Sequence, residues 1–210
     1  MILLLVVAIA VPASPLAAAV ARSRAICVSP FSLLPRGVLL VGSDAAGAAD
    51  PLGETEFVFR DLSFTPVAGA VAVLDFSTCL GQVRLGQPQP FTPMWLDCPT
   101  HTVRVFTDVS GIARFRVVGG AGPPSGSAIH ARVWVDDSPC TYLPVAALDL
   151  DGAGGLGSND LGLWVGDFVA GRGALRGDYD FDGALGANDL ALWVGALFTG
   201  GSVASVAACP

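Results

Sequence analysis

Between residues 36 and 137 apolar and polar side chains tend to alternate with a period of two, the spacing at which one face of a pleated strand is buried and the other is wetted. In IARFRVV from Ile112, Ala113, Phe115 and Val117 face a core while Arg114 and Arg116 face water. IHARVWVD from Ile129 predicts the same, with Ala131, Val133 and Val135 inward and His130, Arg132 and Trp134 outward. ETEFVFRD, AVAVLDF and HTVRVFTD supply three more strands, and RGVLLVG a first one. Turn residues separate them at Pro66 to Gly69 and at Asp108 to Gly111, where DVSG predicts a tight hairpin. Six or seven short strands within roughly 100 residues predict an antiparallel β-sandwich.

From residue 149 the period changes. Leu161, Trp164, Val165 and Phe168, then Leu190, Trp193, Val194 and Leu197, stand at i, i+3, i+4 and i+7, which predicts two amphipathic helices with their apolar stripes packed together. Each follows a loop rich in Asp and Gly, and the two units are copies: DLDGAGGLGSNDLGLWVGDF from Asp149 aligns without gaps onto DYDFDGALGANDLALWVGAL at an offset of 29 residues. The second loop has the ligand spacing of an EF-hand. Asp178, Asp180 and Asp182 hold loop positions 1, 3 and 5, where alternate residues bring carboxylates round one ion. Gly183 at position 6 permits the turn that presents the carbonyl of Ala184, and Asp189 at position 12 closes the shell from the first turn of the helix. In the first loop Asp149, Asp151 and Asp160 hold positions 1, 3 and 12 and Gly155 offers its carbonyl, but position 5 is Ala153. With one oxygen ligand lost, this loop is expected to bind more weakly; the competing reading is a structural turn. The expected cofactor is Ca2+ at two sites.

Neither loop has a helix leading into it, since Pro144 with VAAL precedes the first and GRGALRG the second. Two calcium loops with only exiting helices resemble dockerin domains, over about Val145 to Cys209. The resemblance implies a small all-α module, folded by calcium, that docks onto a cohesin domain in polysaccharide-degrading complexes or on cell surfaces. The docking residues it implies are a helix face and loop positions 10 and 11, here Ser158 and Asn159, then Ala187 and Asn188. Upstream, DLSFTPVAGAVAVLDF followed by TDVSGIARFRVVGGA resembles bacterial immunoglobulin-like domains of secreted and surface proteins, which implies a binding or spacer module without catalytic residues. The expected fold class is therefore α+β in two domains: an immunoglobulin-like antiparallel sandwich over 36–140, then a dockerin-like module over 145–210 with repeats 149–168 and 178–197.

Charge agrees with a cation site. Residues 145–210 carry eight Asp against Arg172 and Arg176, a charge of −6, while the rest of the chain carries −1. Such a segment repels nucleic acid and suits a hard cation with oxygen ligands. At the amino end the apolar run Ile2 to Val11, the breakers Pro12 and Pro15 and the small residues up to Ala21 read as a signal peptide over 1–21, followed by an extension over 22–35. The mature chain then has no membrane span and is secreted, or held at the cell surface. Five cysteines without a CxxC pair point to disulfides rather than structural zinc. Cys79 and Cys98 flank the excursion LGQVRLGQPQPFTPMWLD and are expected to tie its base, and Cys27 with Cys140 is a second pairing that leaves Cys209 over. With five cysteines, fifteen two-bridge pairings remain open.

Catalytic residues are sparse in this pattern. Glu54 and Glu56, the only glutamates, share one strand face, and neither His101 nor His130 has a metal-ligand spacing. The expectation is a non-catalytic, secreted calcium-binding protein that docks a protein partner. The alternative is an accessory of polysaccharide degradation, as a small glycoside hydrolase or as a carbohydrate-binding module in which Trp95 and Trp134 stack on sugar rings.

Overall fold

The computed structural model describes residues 25–26, 36–43, 48–86, 89, 94–122, 129–171, 176–199 and 207–209. The expected signal peptide over 1–21 and most of the extension over 22–35 lie outside the described residues. In chain order the strands begin with β1 (Ala25–Ile26), β2 (Val38–Leu40), β3 (Glu54–Val58), β4 (Arg60–Asp61), β5 (Val71–Asp75), β6 (Val83–Gly86) and β7 (Trp95–Asp97). They continue with β8 (Thr102–Phe106), β9 (Ile112–Arg116), β10 (Gly119–Ala121), β11 (His130–Val135), β12 (Ser138–Ala147) and β13 (Ala207–Cys209). The helices are α1 (Ser158–Val169) and α2 (Ala187–Thr199). Among the described residues no helix is long and apolar enough to cross a membrane.

Six strands form one sheet in the order β2, β12, β11, β5, β8, β7. Its inward residues, among them Ala72, Leu74, Val103, Val105, Ala131, Val133 and Val135, share one core with Phe57, Ala113 and Phe115 of the β3–β9 pair and Val83, Leu85 and Ala121 of β6 and β10. Period two thus places the strands predicted at Ile112 and Ile129 as expected. The β3–β9 register sets Glu54 opposite Arg116 and Glu56 opposite Arg114, and each pair is joined by a side-chain ion pair. The two glutamates are cross-strand partners of arginines.

Several sequence expectations change. The division into an antiparallel sandwich followed by a small all-α module does not hold: the described chain is mostly β, and its two helices pack on strands. β12 runs unbroken from Ser138 to Ala147 and pairs in parallel with β2, Val145 with Val38 and Ala147 with Leu40. On this parallel pair successive side chains enter two cores. Val38, Leu40, Val145 and Ala147 face the core between the sheets. Leu39, Val41, Ala146 and Leu148 face a second core completed by Trp164, Tyr179, Trp193 and Ala196. RGVLLVG and VAAL read as continuous apolar runs because both their faces are covered. Strand β13 joins β6 in a sheet with β10, so residues 207–209 add β structure to the expected all-α segment.

The DVSG turn is tight, with Asp108 Oδ1 accepting from Ser110 N at 2.8 Å and Ile112 N at 3.0 Å and Gly111 at φ 72°. It nevertheless joins β8 of the six-stranded sheet to β9, which pairs with β3, so the turn carries the chain between layers. The excursion between Cys79 and Cys98 contains β6 and β7, and its alternate residues Val83 and Leu85 are buried.

The expected Cys79–Cys98 bridge is replaced by Cys98–Cys209, with a Cα–Cα distance of 5.3 Å, and Cys79 is a buried free thiol. The reason is topological: β13 lies on β6, which brings Cys209 opposite Leu85 and within reach of Cys98. Cys79 points its sulfur at the carbonyl of His130, 3.1 Å away, and burial raises its pKa. Cys140 is disulfide-bonded; its expected partner Cys27 lies outside the described residues.

Candidate metal centre

Both acidic loops share one set of backbone-to-carboxylate bonds, to which the second loop adds Gly183 N donating to Asp178 Oδ2 at 3.0 Å. The position-12 carboxylate closes each loop by accepting three backbone N–H groups. Asp160 accepts from Leu150 at 2.7 Å, Asp151 at 3.1 Å and Gly157 at 2.8 Å. Asp189 accepts from Tyr179 at 2.7 Å, Asp180 at 3.2 Å and Gly186 at 2.8 Å. Each also stands in the first turn of its helix, where the helix dipole favours a negative charge. The position-1 and position-3 carboxylates both accept from the N–H of position 5, at 3.1 and 2.8 Å for Asp149 and Asp151 on Ala153, and at 3.2 and 3.1 Å for Asp178 and Asp180 on Asp182. A 29-residue sequence repeat is thus a repeat in three dimensions.

The turns that allow this winding need left-handed backbone at position 4, held by Gly152 at φ 66° and Phe181 at φ 56°, and at position 6, held by Gly154 at φ 84° and Gly183 at φ 96°. Gly152 has a further reason. Its loop is pressed onto β10, and an added Cβ would stand 2.3 Å from the carbonyl oxygen of Ala121.

Two carboxylate clusters result. Asp149, Asp151 and Asp160 form one and Asp178, Asp180 and Asp182 the other, and within each cluster one oxygen from every residue lies within 4.8 Å of the others. Asp160 belongs to the first cluster, while its counterpart Asp189, which accepts the same three N–H bonds, stands beside the second. Gly155 is buried with φ 76°, and Ala184 is exposed, its N–H donating to Asp182 Oδ1 at 2.8 Å.

The electrostatics test whether a cation fits. Asp149 is only 1% exposed and its Oδ2 is buried with no hydrogen-bond partner. Burial and the charge of Asp160 push its carboxyl up to about 6. Burial also raises Asp160 and Asp178. Carboxylates held together against desolvation and mutual repulsion are relieved by an opposite charge, and a divalent cation with oxygen preference supplies it while taking the orphaned oxygen. Both clusters can hold a metal ion.

Each loop is braced by the helix of the other. The indole of Trp164 in α1 donates to the carbonyl of Gly177, which immediately precedes the second loop, at 3.1 Å; that of Trp193 in α2 donates to the carbonyl of Leu148, which immediately precedes the first, also at 3.1 Å. Gly177 is a required glycine, because a Cβ there would stand 2.7 Å from the Trp164 ring. Arg176 was visible in the sequence only as one of two cations in an acidic segment. It is buried, donates to the carbonyls of Leu150 at 2.8 Å and Gly122 at 3.0 Å, and forms an ion pair with Asp167 of α1 at 3.5 Å. Its partners lie far apart in the chain, so no local motif signals it. The first loop is hooked to β10 and β6 by Ala121 N donating to the Asp149 carbonyl at 2.7 Å and by Arg84 Nη1 donating to the Gly152 carbonyl at 3.1 Å.

The docking positions implied by resemblance, Ser158, Asn159, Ala187 and Asn188, are all exposed at the starts of α1 and α2. The helix stripes pack only in part. Trp164 and Trp193 are buried, but Phe168 is 51% exposed, and Val169 and Phe198, equivalent in the repeat, are 77% and 83% exposed. Of the other residues considered for chemistry, His101 is buried in a turn at φ 53° and His130 is exposed. Trp95 packs on Phe106 with ring centroids 5.2 Å apart. Comparison of the chain with protein-family models, curated proteins and solved structures finds no match.

Proposed function

We propose that this is a secreted, non-catalytic protein that binds two Ca2+ ions and uses the helix pair they brace to dock a protein partner. The observation that carries the calcium reading is the buried, unpartnered Oδ2 of Asp149 inside a loop whose hydrogen bonds are repeated at Asp178. Calcium takes six to eight oxygen ligands. Asp149, Asp151, Asp160 and the carbonyl of Gly155 would hold one ion, and Asp178, Asp180, Asp182, Asp189 and the carbonyl of Ala184 the other. The bound ion would supply the positive charge that facing carboxylates lack.

The first site is the weaker. It lacks a position-5 oxygen, and its ion competes with a proton on Asp149. Calorimetric titration of the Ala153→Asp variant tests this: restored ligation raises first-site affinity about tenfold, while Asp180→Asn lowers that of the second site by at least as much. Unchanged isotherms in both variants would remove the ligand assignment.

Export is supported by the Cys98–Cys209 disulfide and the bonded Cys140, which suit an oxidising compartment. Docking is supported by the exposed quartet Ser158, Asn159, Ala187 and Asn188 and by the uncovered Val169 and Phe198. The partner chemistry implied by the dockerin resemblance is a cohesin-type domain. Surface plasmon resonance against cohesin domains, in calcium and then in chelator, tests it. Calcium-dependent binding lost in Asn159→Arg with Asn188→Arg is expected, and no binding in calcium would refute that partner.

A further inference from the structure

The solvent face of the six-stranded sheet carries a groove that neither the calcium loops nor the helices use. Its volume is about 440 Å3, and Trp134, Arg104, Asp75, Asp136 and Asp137 line it over a floor of Val71 and Val73. That volume lies within the range of small-ligand sites. We propose that this groove binds a neutral oligosaccharide, with the Trp134 indole as stacking platform and the carboxylates and guanidinium as hydrogen-bonding partners for hydroxyl groups.

Three features point to that chemistry. First, the register sets Trp95, Arg104, Val73 and Trp134 side by side on four adjacent strands, a row about 14 Å long at the usual strand spacing, with an indole at each end. All four are half-buried while their chain neighbours Val103, Leu74 and Val133 lie in the core, so the row stands on the outer face. A saccharide presents C–H faces to an indole and hydroxyls to its rim, and so matches an apolar strip edged by charged groups. Second, acceptors and a donor are both fixed in place. Arg104 is held by Thr102 Oγ1 at 3.1 Å and by Asp97 at 3.2 Å, Asp136 Oδ1 accepts from Val71 N at 2.9 Å, and Asp75 Oδ1 accepts from Ser77 N at 2.8 Å. Preorganised groups of both kinds suit hydroxyls, which donate and accept at once.

Third, the β11–β12 turn has an unusual composition. Val135 pairs with Ser138, leaving a two-residue loop, and both its residues are left-handed, Asp136 at φ 42° and Asp137 at φ 64°. Such a turn favours glycine at its second position. Asp137 there costs conformational energy that glycine would not, and it places a further carboxylate in the lining.

The test is titration of the full disulfide-bonded chain with cellohexaose, xylohexaose and mannohexaose, and separately with hexa-arginine, followed by indole fluorescence and calorimetry. The groove predicts saturable binding of at least one hexasaccharide. Affinity falls about tenfold or more in Trp134→Ala and in Asp137→Gly. Asp137→Gly relieves the left-handed strain and so keeps or raises the melting temperature, which separates lost binding from lost folding. The proposal is overturned if no hexasaccharide binds, if both variants retain full affinity, or if only hexa-arginine saturates, which would assign the carboxylates to a basic partner.

Discussion

At Asp149, burial and the neighbouring charge of Asp160 push the carboxyl up to about 6 from an ordinary value of 3.8, and this sets a pH dependence with a definite sign. In chelator the folded chain holds a proton on Asp149 that the unfolded chain releases near pH 3.8, so its stabilising contribution is complete below that value. The contribution is lost as pH rises to about 6. A calcium ion bound there would replace the proton, so the stabilisation it gives is expected to be larger at pH 7.5 than at pH 5, with protons released on binding at intermediate pH. Melting curves at the two pH values, with and without calcium, check this; equal calcium shifts would contradict it. At this scale the carboxylate clusters were legible because the loops are local: Asp178, Asp180 and Asp182 bring one oxygen each within 4.8 Å of the others from five consecutive residues. Arg176 was not, since its partners at Gly122, Leu150 and Asp167 come together only after folding. Replacing Arg176 by Met removes the ion pair with Asp167 and takes the donor from two carbonyls, at a cost of about 3 kcal/mol.

Each helix matters to the loop it does not follow. Trp193→Phe keeps the ring in the second core but removes the bond to the Leu148 carbonyl, leaving a buried acceptor unpaired at a cost of about 1–3 kcal/mol. First-loop calcium affinity is expected to drop while the second loop, which Trp164 braces, is little affected. Calorimetry on the single variants resolves the two, and loss confined to the loop each helix does follow would show that the crossed bonds do not matter. Strand positions were legible wherever one face is wet, as at Ile112 and Ile129. RGVLLVG was also legible as a strand, but VAAL was hidden, since its two dry faces erase the alternation, and neither run showed that the two would pair. The DVSG turn was visible as a turn, but a turn's residues do not say whether its strands pair or part into different layers.

The expected antiparallel sandwich followed by a small all-α module failed at the scale of the whole molecule. The β2–β12 pair is the wall between the two cores, and β13 returns the chain end to β6. Local sequence could not show this, because it depends on a parallel pairing between residues 38–40 and 145–147. The Cys98–Cys209 bridge secures that return across 111 residues. Removing it with Cys98→Ser and Cys209→Ser should lower stability by about 2–5 kcal/mol, measured by denaturant unfolding. Cys79, buried with its thiol pKa raised, should stay unreactive to a thiol reagent until the chain unfolds. Because the first loop is bonded to β10 and Arg84, calcium should stabilise the strands along with the helices. The most direct measurement is therefore calcium titration of the full disulfide-bonded chain, paired with its melting curve in calcium and in chelator. Two ions per chain and one cooperative transition are expected, raised about 10–20 °C when calcium stands at a hundred times the dissociation constant of each site. Absence of binding heat, with identical melting curves in calcium and chelator, would contradict the account.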